Sequence, residues 1–450
     1  MATLCLTTDA TAWIKRLANL LDARVSWRLA PLMAGLLFAT GRRTVSSWLR
    51  AGGLSDDYQD YYYFLGSLGD KVKSLAAVVL RIAVETIVPQ GPQGRILLAL
   101  DDTPSKRYGP KVEGAGIHHN PTPGPAGAEF LYGHVWVTLA WVVRHPVWGA
   151  IGLPLLAFLY VRHKDIEAQR LTLLRQVTFR TKLAMAGELV AWAAKCLSFA
   201  GRTLWVVADG AYAKTCFLQD AAAAGVIVVS RLRKDAALCD VPAPVAPGQR
   251  GRGRPRKYGK NAISLAKRAG HRHGWRTETF VLYGAETSKR YKTFLATYRP
   301  AGGLIRVVLV KEDNGDWRAY FCTHAEARVT EILEAVADRS ALEQVFHDVK
   351  EVHGVGQAQT RNYWSHVAVY HLNLWWHTLI ELWAWHRPAA ELIDRSASPW
   401  DDADRRPSHA DKRNALRRQC LEREFQAGAA FATVPRKIQT LWRRVVRLVA

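Results

Sequence analysis

The sequence predicts a mixed α/β protein with helical regions at both ends. Within residues 94–231, short apolar runs typical of buried strands alternate with amphipathic helical stretches, the pattern of a mixed sheet covered by helices. In residues 1–93 apolar side chains recur at helical spacing instead, and residues 391–450 are predicted to be a basic helical region. A mainly β stretch with a basic loop, 232–325, is inserted in the core, which is expected to resume over 326–390.

The chain is strongly basic. Its 450 residues include 62 Lys and Arg against 39 Asp and Glu, which gives a formal charge of +23, while 49% of the residues are hydrophobic. Such an excess in a chain apolar enough to fold indicates a globular protein that attracts polyanions. Nucleic acid is the expected partner, ahead of an anionic membrane surface.

The cysteines and the apolar runs indicate a cytoplasmic protein. Six cysteines occur without a Cys-x2-Cys pair, so neither a disulfide framework nor a cysteine zinc cluster is predicted. The N-terminus lacks a secretory signal pattern. The most apolar run, Val135–Val161, is interrupted by Arg144, His145 and Pro146, which favours successive buried strands over a membrane span.

The N-terminal region contains one pattern typical of DNA reading. Around Gly41, a turn with Arg42 and Arg43 precedes a short helical stretch rich in Ser and Arg. A turn followed by a short basic helix with an apolar back suits a helix-turn-helix unit. A basic helix exposed to solvent accounts for the same residues.

The core and the insertion are predicted from apolar runs of strand length. The predicted core strands are 95–100, 132–143, 153–161, 203–208 and 226–230, with a helix at 166–200 and a short one after 212. The predicted strands of the insertion are 277–282, 293–298, 304–310 and 317–322. Helices are expected from about 325, over 367–385, and at 412–425 and 436–449.

Acidic residues follow two of the predicted core strands. Asp102 comes after the first strand and Asp209 after the fourth. If these strands are neighbours, their carboxyl ends bring both side chains together. Asp101 competes with Asp102 for this position, because adjacent residues point to opposite faces of a sheet. Each aspartate also suits a turn or a helix cap, so structural roles remain open.

A third acid lies on a helix face between two cations. Arg339, Glu343 and Lys350 fall within about 40° on a helical wheel, and Asp348 lies on the opposite face. Such a face is either a solvated ladder of salt bridges or one wall of a site for metal and phosphate. Beside Asp102 and Asp209, Glu343 would complete a set of oxygen ligands for hard divalent cations, with Arg339 and Lys350 holding phosphates.

These motifs together resemble the DDE transposases of bacterial insertion sequences. The resemblance rests on Asp102-Thr103, on the run 207–212 and on Arg339-x3-Glu343-x6-Lys350. The branch concerned carries a Tyr-x2-Arg-x3-Glu-x6-Lys signature, in which the tyrosine position is Val336 here. The sequence from Gly354 to Arg361 is also similar to the family.

The resemblance implies a ribonuclease H-like catalytic core in which Asp102, Asp209 and Glu343 bind Mg²⁺, or Mn²⁺, and are catalytic. It further implies cut-and-paste transposition, in which transposon ends are cleaved and a 3′-hydroxyl attacks target DNA, with hairpin-ended intermediates. DNA terminal inverted repeats and target DNA are then the partners, and a homodimer pairs the ends. Arg361, with Arg339 and Lys350, is implied to contact DNA.

The insertion carries further candidates for DNA binding. The basic run resembles an AT-hook, although a phosphate-binding loop fits it equally; its candidates are Arg252, Arg254, Arg256 and Lys257. The resemblance implies that an aromatic residue of the insertion grips a flipped base, for which Trp317 and Tyr320 are candidates, with packing in the strand as the alternative. Spaced three apart on one strand, they are expected on opposite faces.

Two alternatives to an active transposase remain. One is a catalytically inactive DNA-binding regulator derived from a transposase, against which the intact set of three acids argues. The other is a ribonuclease H-like nuclease that cuts without joining, which the helical flanks disfavour because they suit binding of specific ends.

Overall fold

The structure is a computed structural model. It describes residues 6–54, 58–87, 94–119, 127–171, 177–243, 256–396 and 398–428, with a few further residues between 435 and 446. The predicted Arg252 and Arg254 and most of the predicted helix 436–449 lie outside the described residues.

The N-terminal region is helical, as predicted. Its helices are α1 (Thr8–Ala18), α2 (Ala23–Ser26), α3 (Leu29–Phe38), α4 (Val45–Ala51), α5 (Tyr58–Asp70) and α6 (Val72–Thr86). Helices α3 and α4 pack together across a turn in which Gly41 has a φ of 64°. The apolar back of α4 is formed by the fully buried Trp48. The helix pair of the proposed reading unit therefore exists, while its binding of DNA stays a prediction.

The core is a mixed sheet. Its strands are β1 (Ile96–Lys106), β2 (Gly116–His119), β3 (Phe130–His145), β4 (Gly149–Tyr160), β5 (Leu204–Ala208) and β6 (Val226–Leu232). The sheet runs β4, β3, β1, β5, β6, with β1 antiparallel to β3 and parallel to β5. Two antiparallel hairpin partners on one side of β1 and two parallel strands on the other make the predicted ribonuclease H-like arrangement.

The strands of the insertion extend this sheet instead of forming a separate one. They are β7 (Leu238–Cys239), β8 (Ala262–Ile263), β9 (Arg276–Leu282), β10 (Ala285–Tyr298), β11 (Gly303–Lys311) and β12 (Trp317–Cys322). Strand β12 pairs antiparallel with β6, and the sheet continues through β11 and β10. The mainly β character of the insertion was predicted from sequence; its continuity with the core was not.

Helices cover both faces of the sheet. The remaining ones are α7 (His163–Ala168), α8 (Lys182–Leu197), α9 (Thr215–Ala223), α10 (Leu265–Gly270), α11 (Val329–Asp338), α12 (Ser340–Glu351), α13 (Tyr363–Ala384), α14 (Ala389–Leu392) and α15 (His409–Gly428). The helix expected to run from about 325 is divided into α11 and α12 at Arg339. An ion pair between Arg144 and Asp338, at 2.8 Å, fastens the end of α11 to β3.

Helix α12 sits close against the sheet because β4 carries a glycine there. A β-carbon at Gly152 would lie 2.7 Å from Cγ2 of Val345 and 2.9 Å from the carbonyl oxygen of Ala341. Helix α13 is buried along almost its whole length between β4 and the N-terminal helices. These contacts fix where α12 presents its side chains.

One segment of the described chain, Lys182–Ala200, is long and apolar enough by composition to cross a membrane. It includes α8, which packs against α9, β3 and β4. A single such helix is weak evidence, since core helices have the same composition.

Candidate active site

The pairing of β1 with β5 brings the aspartates of the two strands to the same level of the sheet. Leu100 pairs with Ala208 in parallel register, and the next residues are Asp101 and Asp209. The first strand was expected to end at the acids, but β1 continues to Lys106 because it keeps its pairing with β3 beyond the end of β5. Asp101 and Asp102 therefore lie within a strand, on opposite faces.

Asp101 faces helix α12. Its Oδ2 accepts a hydrogen bond from Nη1 of Arg339 at 2.6 Å, and its Oδ1 accepts one from its neighbour's backbone N–H at 2.8 Å. The other terminal nitrogen of Arg339, Nη2, donates to Oε1 of Glu343, also at 2.6 Å. One guanidinium thus bridges the carboxylates of the strand and the helix.

Asp102 faces helix α8. One carboxylate oxygen accepts from Nζ of Lys182 at 2.7 Å, and the other accepts from the hydroxyl of Tyr212 at 2.8 Å. The expected approach of Asp102 to Glu343 is not seen, because the alternation of the strand gives that face to Asp101. The sequence left open which of the two aspartates meets Glu343, and in the structure that residue is Asp101.

Asp209 is exposed just beyond β5. Its side chain caps the 3₁₀ turn Gly210–Tyr212 by accepting the backbone N–H of Ala211 at 3.4 Å. This is the turn role considered from sequence, and it leaves the second carboxylate oxygen without a hydrogen bond from that turn. Capping and metal binding are compatible in such an arrangement.

Negative charge accumulates at this edge of the sheet. Burial raises the pKa of Asp101 to about 6, Arg339 opposes that shift, and the carboxylates of Asp102 and Asp209 add to it. The pKa of Tyr212 is raised as well, first by burial and then by the same aspartates. Clustered carboxylate oxygens that raise one another's pKa are the donor set that suits hard divalent cations such as Mg²⁺.

A basic cleft adjoins the acids. It has a volume of about 1060 Å³ and is lined by the cationic side chains Arg42, Lys106, Arg107, Lys111, Lys350 and Arg361, with Glu351 as the acid among the lining residues. Lys350 reaches back to the sheet, where its Nζ donates to Oγ1 of Thr103 at 2.7 Å. Three of the predicted DNA contacts, Arg42, Lys350 and Arg361, meet in this cleft.

The cationic residues that β1 and the following loop contribute to the cleft were not predicted from sequence. Lys106 and Lys111 follow the acids in β1 and the loop after it, and their charge was a usable signal. Arg107 is different, since its guanidinium is buried and donates to the carbonyl oxygens of Gly356 and Ala358 at 3.0 Å each. Arg107 therefore stabilises the wall of the cleft, and its charge is not exposed to a bound polyanion.

Other predicted contacts are spread over the surface. Arg43 is half-buried and joins the N-terminal region to the end of α12: its backbone N–H donates to Gln357 at 2.7 Å and its side chain to the carbonyl of Glu351 at 3.1 Å. Burial lowers its pKa. Arg256 and Lys257, in contrast, are exposed.

The two predicted aromatic residues are both half-buried. Lys234 lies over the ring of Trp317, with its Nζ 5.2 Å from the centroid, and Tyr320 is three residues further along β12. A more exposed aromatic residue was missed. Tyr283 occupies the turn between β9 and β10, is 72% exposed and has a φ of 56°.

Tyr283 lies near Glu343. The pKa of its hydroxyl is raised, first because neighbouring atoms partly remove the hydroxyl from water, although most of the side chain is exposed, and then by Tyr320 and Glu343. The signal for it in the sequence is the Tyr283-Gly284 pair between two strand-like runs, since such a pair is typical of a tight hairpin.

Comparisons with solved structures and with protein families each give a match. A cryo-EM structure of a piggyBac transposase synaptic complex with hairpin DNA aligns over 98% of this chain and 76% of its own, with 9% identity and a TM-score of 0.37. No curated protein matches the sequence significantly. The profile described as DDE superfamily endonuclease matches residues 16–287, a range that contains Asp101, Asp102 and Asp209 and ends before Glu343. Because this match spans more than half of the chain, the protein belongs to the DDE superfamily endonuclease family.

Proposed function

We propose that this DDE endonuclease is a DNA transposase that cleaves transposon ends and joins their 3′-hydroxyls to target DNA. The observation that carries the proposal is the bridge of Arg339 between Asp101 and Glu343, beside Asp209 and on the helix whose Lys350 lines a basic cleft. Acids alone would fit a nuclease or a structural network. Acids next to a channel lined by cations fit an enzyme that holds a polyanion while cutting it.

In this proposal, Asp101, Asp209 and Glu343 hold the divalent metals, Mg²⁺ or Mn²⁺. Bound there, such ions supply Lewis-acid activation of the attacking oxygen and stabilisation of the leaving one. Asp101 is assigned in place of the sequence candidate Asp102, because it lies on the face of the sheet that meets Glu343, whereas Asp102 is bonded to Lys182 and Tyr212 on the other face.

Arg339 is assigned a positioning role between the carboxylates of Asp101 and Glu343. The carboxylate of Asp101 accepts from Arg339 and from a backbone N–H, and burial raises its pKa. Ionised Asp101 holds the guanidinium, and the guanidinium in turn orients Glu343. When DNA enters, Arg339 can turn one of its donors to a phosphate while keeping the other on a carboxylate.

The remaining residues of the cleft position the DNA. Lys350 and Arg361 line the cleft, where they can neutralise backbone phosphates, and Arg42 brings the N-terminal helix pair to the same cleft. Phosphate contacts of this kind fix register without reading sequence. Recognition of terminal inverted repeats is then assigned to the helical flanks, with two copies of the chain pairing the ends in the cytoplasm.

An excision assay tests the proposal. Purified protein is incubated with Mg²⁺ and a plasmid bearing the inverted repeats that flank the gene. Excision of the segment followed by insertion into a second plasmid is the expected result, with hairpin ends visible on denaturing gels. Cleavage without joining would indicate a nuclease, and specific binding without cleavage would indicate a regulator.

A further inference from the structure

A second group of metal-binding side chains lies on the other face of helix α12, away from Glu343. It comprises Asp348 from α12, His377 from α13 and His409 from α15, with ligand atoms all within 4.8 Å of one another and every residue buried. His353, just after α12, adjoins it, with its Nε2 2.8 Å from Nε2 of His409. From sequence, Asp348 was placed only on the face of the helix opposite Glu343.

His377 is buried, and neither of its ring nitrogens has a hydrogen-bond partner among the described residues. The residue is 2% exposed, and its Nε2 lies 3.5 Å from Oδ2 of Asp348, too far for a good hydrogen bond. Nδ1 of His353 likewise lacks a partner. Buried polar atoms are costly when unpaired, and most proteins pair them. The unpaired nitrogens of His377 and His353, in a cluster with the buried carboxylate of Asp348, therefore indicate a ligand that satisfies them.

The partners of His409 match those of a metal-bound histidine. Its Nδ1 lies 2.6 Å from Oε1 of Glu381, and since an ionised carboxylate only accepts, this nitrogen carries the proton. The other oxygen of Glu381 accepts from Nζ of Lys412 at 2.5 Å. Nε2 of His409 is thereby left with a lone pair, whose neighbours are Nε2 of His353, at 2.8 Å, and the other members of the cluster. A carboxylate behind a ligating histidine is the usual outer contact of a metal site.

The protonation states agree with this role. Burial lowers the pKa of His409 to about 4 and holds that of His353 well below its ordinary value, so both imidazoles are neutral at physiological pH. For Asp348, burial acts to raise the pKa, but the neighbouring imidazoles of His377 and His409 outweigh it and the net shift is downward. Neutral imidazoles and an ionised carboxylate are the ligand forms that a cation requires.

We propose that this cluster binds a structural zinc ion, with Asp348, His377 and His409 as ligands. Imidazole nitrogens combined with one carboxylate suit Zn²⁺, whereas Mg²⁺ prefers oxygen ligands. The site is enclosed, with each of these side chains at least nine-tenths buried, so substrate does not reach it from solvent. It joins α12, α13 and α15, so it fastens the C-terminal helix to the helix that carries Glu343.

Metal analysis of the untagged full-length protein tests this site. After dialysis against Zn²⁺ and removal of free metal, we expect about one zinc per chain, one ion for the one cluster. Asp348→Asn and His377→Gln should lose the zinc, and Glu381→Gln should weaken binding about 10–100-fold. His371→Gln is the matched control, because His371 is equally buried on α13 but is bonded to the backbone of Val367 and Ala157. It should keep the metal.

A thermal measurement on the wild type guards against variants that fail to fold. Chelator-treated protein should unfold at a lower temperature than the zinc-loaded protein, and Zn²⁺ but not Mg²⁺ should restore the loss. Substituted Co²⁺ should give the visible absorption of a tetrahedral site. A wild-type protein that retains no zinc after dialysis and whose unfolding temperature ignores both chelator and Zn²⁺ would overturn the proposal.

Discussion

The two faces of helix α12 differ in nearly every property that governs metal binding. On one face Glu343 is 58% exposed at its side chain, and its partner is an arginine that also holds Asp101. On the other, Asp348 is 10% exposed and is surrounded by histidines. Exposed oxygens flanked by cations suit an exchangeable metal and a phosphate substrate, whereas buried nitrogens suit a permanent ion. One helix therefore links the proposed chemistry to the proposed structural clamp.

The largest effect is expected at the proposed metal ligands. Asp101→Asn, Asp209→Asn and Glu343→Gln each remove a charge that holds a metal, a loss of several kcal/mol in the transition state and so of about a thousandfold or more in rate. Binding to transposon ends should be unchanged, because the phosphate contacts remain. Cleavage rates and gel-shift affinities of each variant measure both. A variant that cleaves normally does not carry a metal ligand at that position.

Asp102→Asn separates the two neighbouring aspartates. If Asp102 only positions Lys182 and Tyr212, its loss should slow cleavage by no more than about 10–100-fold, the range typical of outer contacts of a metal site. The wild-type rate should fall as pH drops through about 6, where Asp101 takes up a proton. An active Asp101→Asn beside an inactive Asp102→Asn would exchange the two roles.

The carboxyl group of Asp101 also predicts a pH dependence of stability. Its folded-state pKa of about 6 lies above the ordinary 3.8, so the protonated form is favoured by folding. The contribution of Asp101 to stability is present below pH 3.8 and is lost as pH rises through about 6. Denaturant unfolding of the wild type and of Asp101→Asn across this window should show a weaker pH dependence in the variant.

A substitution in β4 tests the position of helix α12, on which both of its faces depend. In Gly152→Ala the new methyl group meets Val345 and the backbone of Ala341, so α12 must shift. We expect a loss of about 1–3 kcal/mol of stability, together with slower cleavage and weaker zinc binding. Gly270→Ala, where a β-carbon meets nothing within 4 Å, is the control. Slower cleavage with full zinc binding would mean that the two faces are independent.

The smallest effect is expected at the edge of the catalytic face. Lys350→Ala should weaken DNA binding and make the log–log salt dependence shallower by about one unit, since one phosphate contact is lost. Lys234→Ala, which removes a surface partner of Asp316 outside the cleft, controls for net charge. An unchanged salt dependence in Lys350→Ala would return Lys350 to a role in binding Thr103.

Much of the fold follows from the sequence because apolar periodicity is local information. The runs that became β1, β3, β4, β5 and β6, and the helical character of residues 1–93, were predicted to within a few residues at most ends. Two predictions failed. The single helix predicted at 166–200 is instead α7, which ends at Ala168, and α8, which begins at Lys182 after the non-helical residues 177–181. The predicted first strand stops at Leu100, but pairing with β3 carries β1 on to Lys106. Local composition does not report such tertiary pairing.

The candidate site was predicted in its parts but not in its geometry. The wheel placed Arg339, Glu343 and Lys350 on one face, and the structure shows that face against β1. Which aspartate meets it depends on the register of β1 and β5, which only the fold fixes. The histidine cluster was invisible, because its members come from three helices and none forms a local motif.

One experiment tests the central claim that α12 serves a catalytic site on one face and a structural metal on the other. Zinc content and Mg²⁺-dependent cleavage of transposon ends are measured together for the wild type, Glu343→Gln and the control His371→Gln. We predict that Glu343→Gln holds about one zinc, as the wild type does, and has lost cleavage. Cleavage by Glu343→Gln at the wild-type rate would contradict the account.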